Sequence, residues 1–276
     1  MASWQSGDVE ANGIRLHYTR TGGAKPPIVL AHGFSDDGLC WTPVAQALAA
    51  DYDVIMVDAR GHGLSDAPAD GYGLAEHAAD LAGVTAALGL RRPAVLGHSM
   101  GAGTALVLAG MYPDLPSAIL LEDPPAWWAP TLELPAVAED RVAQRRRWID
   151  ELKGKTREEL IAAQRAQQPG WSEAELGPWA DAKLRFNLHA MNLDPNASLD
   201  WPSTLRRISC PALLIAADPA LGAIITDESA ASLRSLVPQL RVTRIAVAGH
   251  NIRRDQFDRY MEVVRAFLCE NVLGGT

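Results

Sequence analysis

Five short apolar runs constrain this chain more than any other feature. Pro27-Ile-Val-Leu-Ala31, Asp53-Val-Ile-Met-Val57, Ala94-Val-Leu96, Ala118-Ile-Leu-Leu121 and Pro211-Ala-Leu-Leu-Ile215 are of strand length and apolar on both faces. A strand buried on both faces belongs in a parallel sheet covered by helices on each side. The segments between the runs supply such helices. Trp41 to Ala50 has helical spacing, and Leu74, Ala78, Leu81, Val84 and Leu88 mark one face of a second helix with Gly89 just past its end. Asn12-Gly13, between Asp8-Val-Glu10 and the alternating Ile14-Arg-Leu-His-Tyr18, predicts a two-residue hairpin, so the chain opens with antiparallel strands. Val242 to Val247 predicts a last strand, and Asp255 to Cys269 a closing helix. The expected fold class is α/β.

The alternation breaks at Glu122-Asp123-Pro124-Pro125. From there to Trp201-Pro202 the sequence is helical, charged and strandless, and it holds Trp127, Trp128, Trp148, Trp171, Trp179 and Trp201. We expect one core built from residues 1–123 and 202–276, with a helical insertion over 124–201. Ala94 to Met111 carries no charge over eighteen residues, but it contains Gly97, Ser99, Gly101 and Gly103 and runs into Tyr112-Pro113. That suits a buried strand, a tight turn and a buried helix, so stable membrane insertion is not expected. The start of the chain has no basic stretch followed by an apolar run, which points to the cytoplasm. With 25 basic against 33 acidic residues the net charge is −8, which removes the electrostatic drive for nucleic-acid binding. Cys40, Cys210 and Cys269 are odd in number and scattered, so neither a disulfide framework nor a metal site is expected, and no cofactor is implied. Nothing in the sequence speaks to oligomeric state.

The chemistry is concentrated in Gly97-His98-Ser99-Met100-Gly101. It follows the apolar run Ala94-Val-Leu96 and opens a helical segment, and a strained strand-to-helix turn of this kind pushes a serine hydroxyl into the open. A serine hydroxyl is a weak nucleophile until a base takes its proton. His250, in Ala248-Gly249-His250-Asn251, falls in a loop after the last predicted strand. His17, His77 and His189 sit within a hairpin, an amphipathic helix and the insertion, and read as structural or solvated.

Ala31-His32-Gly33-Phe34, Asp58-Ala-Arg60-Gly61-His62-Gly63-Leu64-Ser65, the Gly97 to Gly101 turn and Gly249-His250, in that order, resemble the α/β-hydrolase superfamily. The resemblance covers the chain outside the insertion. It implies an eight-stranded, mostly parallel sheet with a helical lid inserted after strand 6, and a triad in the order Ser, acid, His. It makes Ser99 the nucleophile and His250 the base, with the backbone N–H groups of Phe34 and Met100 forming an oxyanion hole. The residue types of Asp58 to Ser65 suit a tight loop, so that segment reads as a structural turn and His62 is not the base. For the acid, the family's usual register after the seventh strand falls on Gly222. Asp218 is the nearest carboxylate and could fill that place if Pro219-Ala-Leu221 is a small insertion. Asp123, after the sixth strand, is the alternative. Asp227 and Glu228 read as the first turn of a helix.

The activity implied is metal-free hydrolysis of a small-molecule carboxylic ester or lactone through an acyl-enzyme, with N-acyl homoserine lactones among the candidates. The same triad also serves carbon–carbon hydrolysis of vinylogous diketones, and some members of the superfamily are receptors with little turnover. Ser99 in place of an aspartate argues against epoxide or haloalkane chemistry. The tryptophans of the insertion either form its own core or face the substrate, and Trp127 and Trp128 are the pocket candidates. With no lysine or arginine cluster near the motifs, the pocket is expected to be apolar and to take a neutral acyl chain.

Overall fold

The computed structural model describes residues 4–129, 139–194, 197 and 199–273, without the side chains of 139–142 and 145. Its strands are β1 (Gln5–Ala11), β2 (Ile14–Arg20), β3 (Pro27–Ala31), β4 (Asp53–Val57), β5 (Ala94–His98), β6 (Ala118–Glu122), β7 (Ala212–Ala216) and β8 (Leu240–Arg244). They form one sheet in the order β1-β2-β4-β3-β5-β6-β7-β8. The hairpin β1–β2 and the β2–β4 pair are antiparallel, and every other neighbouring pair is parallel. Asn12 and Gly13 make the hairpin with φ of 50° and 78°, the two positive values that its tight turn demands.

The helices are α1 (Thr42–Leu48), α2 (Leu74–Ala87), α3 (Met100–Met111), α4 (Glu139–Lys153), α5 (Arg157–Gln167), α6 (Glu173–Arg185), α7 (Trp201–Leu205), α8 (Asp227–Leu236), α9 (Ile252–Asp255) and α10 (Phe257–Leu268). The period-two geometry of the strands divides the core into two layers. Val29 and Ala31 of β3, with Ile55 and Val57 of β4, face α2, α3, α7 and α8. Ile28 and Leu30, with Val54 and Met56, face α1 and α10. This is the doubly covered sheet that the apolar runs predict. Among the described residues no helix is long and apolar enough to cross a membrane; Ala94–Met111 divides into β5, a turn and α3.

Two boundaries differ from the sequence expectation. The last strand spans Leu240–Arg244, not Val242 to Val247: Ile245 N–H still bonds to the Ala216 carbonyl, but Val247 turns to a φ of 57° and leaves the sheet. The closing helix is broken at Gln256 into α9 and α10.

Between β6 and β7 lie α4 to α7. Leu152, Leu160, Trp171, Leu176, Trp179 and Ala180 form a small core of their own within α4–α6. Trp128 and Trp201, in contrast, are buried in the main core against α3 and α7. Substitution of Gly103 on α3 would drive a Cβ into the Trp127 ring, so that ring packs on the helix behind Ser99.

Candidate active site

The sheet delivers Phe34, Ser99, Asp123, Asp218 and His250 to loops beyond the carboxyl ends of β3, β5, β6, β7 and β8, the edge where open α/β sheets place their sites. Ser99 stands between β5 and α3 with φ 51° and ψ −115°, a conformation costly for any residue with a side chain. The turn is possible because its neighbours lack side chains. A Cβ on Gly97 would collide with the Gly101 carbonyl, and one on Gly101 with the Ala31 carbonyl. Ser99 N–H is fixed to the Glu122 carbonyl at 2.9 Å. Met100 opens α3, where the first N–H groups of a helix have no intrahelical acceptor.

His250 Nδ1 donates to Asp123 Oδ2 at 2.7 Å. Asp123 is fully buried, has a φ of 41°, and accepts the backbone N–H groups of Ile224 and Ile225 at 2.8 and 3.0 Å. The acid beside His250 is therefore Asp123, and the expectation of Asp218 is corrected. Asp218 caps the short turn Pro219–Leu221, accepting Ala220 N–H at 2.9 Å. That turn packs so closely that a side chain on Gly249 would strike the Leu221 carbonyl. The segment thought to carry the acid instead supplies the N–H groups that hold Asp123.

Ser99 and His250 line one cavity of about 450 Å³, together with Gly33, Phe34, His98 and residues of α4–α6. Trp127 and Trp128 are not among its lining residues. Trp128 donates its indole N–H to the Ser229 carbonyl at 3.2 Å, and the Trp127 ring lies 6.4 Å from that of Trp201. The tryptophans at the cavity are Trp148, Trp171 and Trp179. An apolar pocket free of cations is also corrected: Lys155, Lys183 and Arg254 reach its wall.

Two of those cations belong to a buried network. Asp36 accepts from Lys183 at 2.9 Å, Arg254 at 3.0 Å and Arg253 at 3.2 Å. Arg254 also reaches Glu175 at 3.1 Å, and Arg253 reaches Glu122 at 3.2 Å. Burial works against the Asp36 charge, but Arg254, Lys183 and Arg253 outweigh it and hold its carboxyl well below the usual range. Asp36 follows Phe34 by two residues, Glu122 precedes Asp123, Arg253 and Arg254 follow His250, and Glu175 and Lys183 lie on α6. One ionic cluster thus ties together the loops of the site and a helix of the insertion. Its members are scattered along the chain, so no local pattern announces it.

Three further histidines stand about the site, and His77 is buried on α2. His62 donates to the Phe34 carbonyl, inside the loop where Asp58 accepts N–H groups from Gly38 and Leu64, so the Asp58 to Ser65 turn is structural as expected. His32 Nε2 accepts Ala59 N–H at 3.0 Å while its Nδ1 donates to the Gly33 carbonyl at 2.8 Å. His98 Nε2 donates to the His250 carbonyl at 3.0 Å. Burial lowers His32 to about 3 and holds His77 and His98 well below the ordinary histidine range.

Those three imidazoles make stability pH-dependent. They stay neutral in the fold but protonate near 6.5 once unfolded, so the unfolded state gains protons as pH falls and stability is lost below that point. From pH 6.5 to 5.5 each costs about 1 kcal/mol, about 3 in all. Asp37, pushed up to about 7 by burial and by Asp58, takes up its proton in the fold and offsets about 1 kcal/mol of that. Urea denaturation is expected to show a net loss of stability over this interval. Stability that is flat or rising on acidification would mean that the buried imidazoles are charged in the folded protein.

The family model described as alpha/beta hydrolase fold matches residues 26–253. The chain belongs to the α/β-hydrolase fold family. This α/β hydrolase is 32% identical over 269 residues to an N-formylmaleamate deformylase of Pseudomonas putida, covering 95% of this chain and 96% of that one. The crystal structure of an N-formylmaleamic acid deformylase from a Pseudomonas putida strain superposes with a TM-score of 0.78 at 28% identity, over 94% of this chain and all of the other. A structure described as an N-acyl homoserine lactone degrading enzyme superposes with a TM-score of 0.73 at 26% identity, over 95% of this chain and all of that one. The eight-stranded sheet and the alternation of strand and helix are those of the family, and the protein is a hydrolase by that membership.

Proposed function

We propose that this protein is a serine hydrolase that transfers an acyl group from an ester, a lactone or an activated N-acyl compound to water through an acyl-enzyme. The observation that carries this is a serine held at φ 51° in the wall of the same cavity as a histidine whose far nitrogen is bonded to a fully buried carboxylate. In this reading Nε2 of His250 accepts the Ser99 Oγ proton as Oγ attacks the substrate carbonyl. Asp123 holds the imidazole in the tautomer with the proton on Nδ1 and stabilises the cation that forms. The N–H groups of Phe34 and Met100 receive the oxyanion. His250 then gives its proton to the leaving oxygen or nitrogen, and water repeats the sequence to release the acid. Helices α4–α6 act as the lid, and the insertion over 124–201 is the unit that carries it.

The N-acyl option rests on the relative that spans nearly the whole chain, since removal of a formyl group from nitrogen is itself an acyl transfer. The polar wall of the cavity also fits a short polar acyl compound better than a long alkyl chain. The test is incubation with p-nitrophenyl butyrate and, separately, with N-formylmaleamate, followed by intact-protein mass spectrometry. Sustained release of p-nitrophenol or formate, with a transient acyl mass on Ser99, is expected. A single burst without turnover would mark a receptor. Turnover confined to a vinylogous diketone would replace acyl transfer from oxygen or nitrogen with carbon–carbon cleavage.

A further inference from the structure

The cations in the cavity wall are already spent. Lys183 Nζ donates to Asp36 and to the carbonyl and hydroxyl of Ser35, at 2.9, 2.7 and 3.0 Å. Arg254 donates to Glu175, Asn251 and Asp36 at 3.1, 3.2 and 3.0 Å. Lys155 is exposed and shares the wall with Glu151, so it confers no clear anionic preference.

Gln164 differs from all of these. It is 7% exposed, it lines the cavity with Ser99 and His250, and its side-chain amide has no hydrogen-bond partner among the described residues. Helix α5 is otherwise solvent-facing: Leu160, one turn earlier, is its other buried side chain, and the capping box of Thr156 and Glu159 fixes its start. Unlike the enclosed Nδ1 of His98, its amide atoms stay accessible and open onto the cavity, where a ligand can reach them. Its chemistry is one acceptor and an NH₂ donor side by side. A carboxylate would satisfy the donor and confront the acceptor with a second oxygen. A carboxamide satisfies both at once, through two antiparallel hydrogen bonds.

We propose that Gln164 is a specificity-determining residue that reads a carboxamide on the substrate, so that the preferred substrates are short acyl compounds carrying an amide away from the attacked carbonyl. This rests on the acyl-transfer reading of Ser99 and His250. The leucine and tryptophan side chains at Leu152, Leu160, Trp171 and Trp179 then cover the carbon chain between the two ends.

Three ethyl esters of nearly equal shape test it: ethyl succinamate, ethyl 4-methylpentanoate and monoethyl succinate, ending in an amide, an isopropyl group and a carboxylate. The wild type is expected to favour ethyl succinamate over ethyl 4-methylpentanoate by about 10–100-fold in kcat/KM, as one well-made buried hydrogen-bonded pair allows. Gln164→Leu should collapse that ratio to near one, with the change on ethyl succinamate falling mainly in KM, and Gln164→Met should do the same. An unchanged ratio in the variants, an equal loss on all three esters, or a wild-type preference for monoethyl succinate would overturn the proposal. Calorimetric binding of the same esters to a Ser99→Ala background separates the two readings. If no ester is turned over but the amide is still bound more tightly through Gln164, acyl transfer fails and the recognition stands. If turnover is normal but binding shows no amide preference, the recognition fails and acyl transfer stands.

Discussion

A Ser99→Ala protein is expected to lose turnover by about 10⁶-fold and to stop reacting with a fluorophosphonate, while keeping its fold. The magnitude is that of removing a triad nucleophile, because the histidine and acid then have nothing to activate. Stability should change by less than about 1 kcal/mol, since alanine meets the same backbone penalty at φ 51° as serine and the site's backbone anchor to Glu122 is kept. Turnover of p-nitrophenyl butyrate, fluorophosphonate labelling and thermal unfolding are the three measurements. Labelling that persists on another residue would remove Ser99 from the mechanism.

The second large effect separates the two carboxylates. Asp123→Asn should lower kcat by about 10⁴, because an amide at this place favours the histidine tautomer that cannot accept the serine proton. The amide oxygen can still accept from Ile225 while the N–H of Ile224 loses its acceptor, so the variant should fold with a stability loss of about 1–3 kcal/mol. Asp218→Asn should leave kcat within a few-fold of wild type. Asparagine serves as well as aspartate at the start of a turn, and Asp218 accepts only a local N–H. A collapse of kcat in Asp218→Asn, with Asp123→Asn active, would return the acid to the end of β7.

What could be read along the chain was whatever depends on neighbouring residues. The sheet followed from runs such as Pro27–Ala31, whose apolar faces admit few other fates, and the strained turn at Ser99 from the small residues packed around it. The carboxylate bonded to His250 was not legible, because Asp123 and Asp218 both follow strands. What separates them is which carboxylate the 224–225 backbone folds toward. Trp127 and Trp128 misled for a related reason: they lie four and five residues after Asp123, but the chain turns them inward onto α3 and α8. Gln164 and the Asp36 cluster left no trace in the sequence, since their meaning comes from partners, or the lack of one, far away in the chain.

The Asp36 cluster bears on how such a chain can be recombined. One cation and one anion of the cluster, Lys183 and Glu175, come from α6 and the others from the core, and removing one member of a buried pair typically costs about 3–5 kcal/mol. An insertion grafted from another hydrolase that brought only one of the two, a cation at position 183 or an anion at position 175, would leave the buried cluster with a net charge. The useful crossover points for chimeras lie within the charge cluster's own bookkeeping, not at the ends of the inserted segment. Exchanging residues 36, 175, 183 and 254 as one block should succeed where swapping helices alone does not.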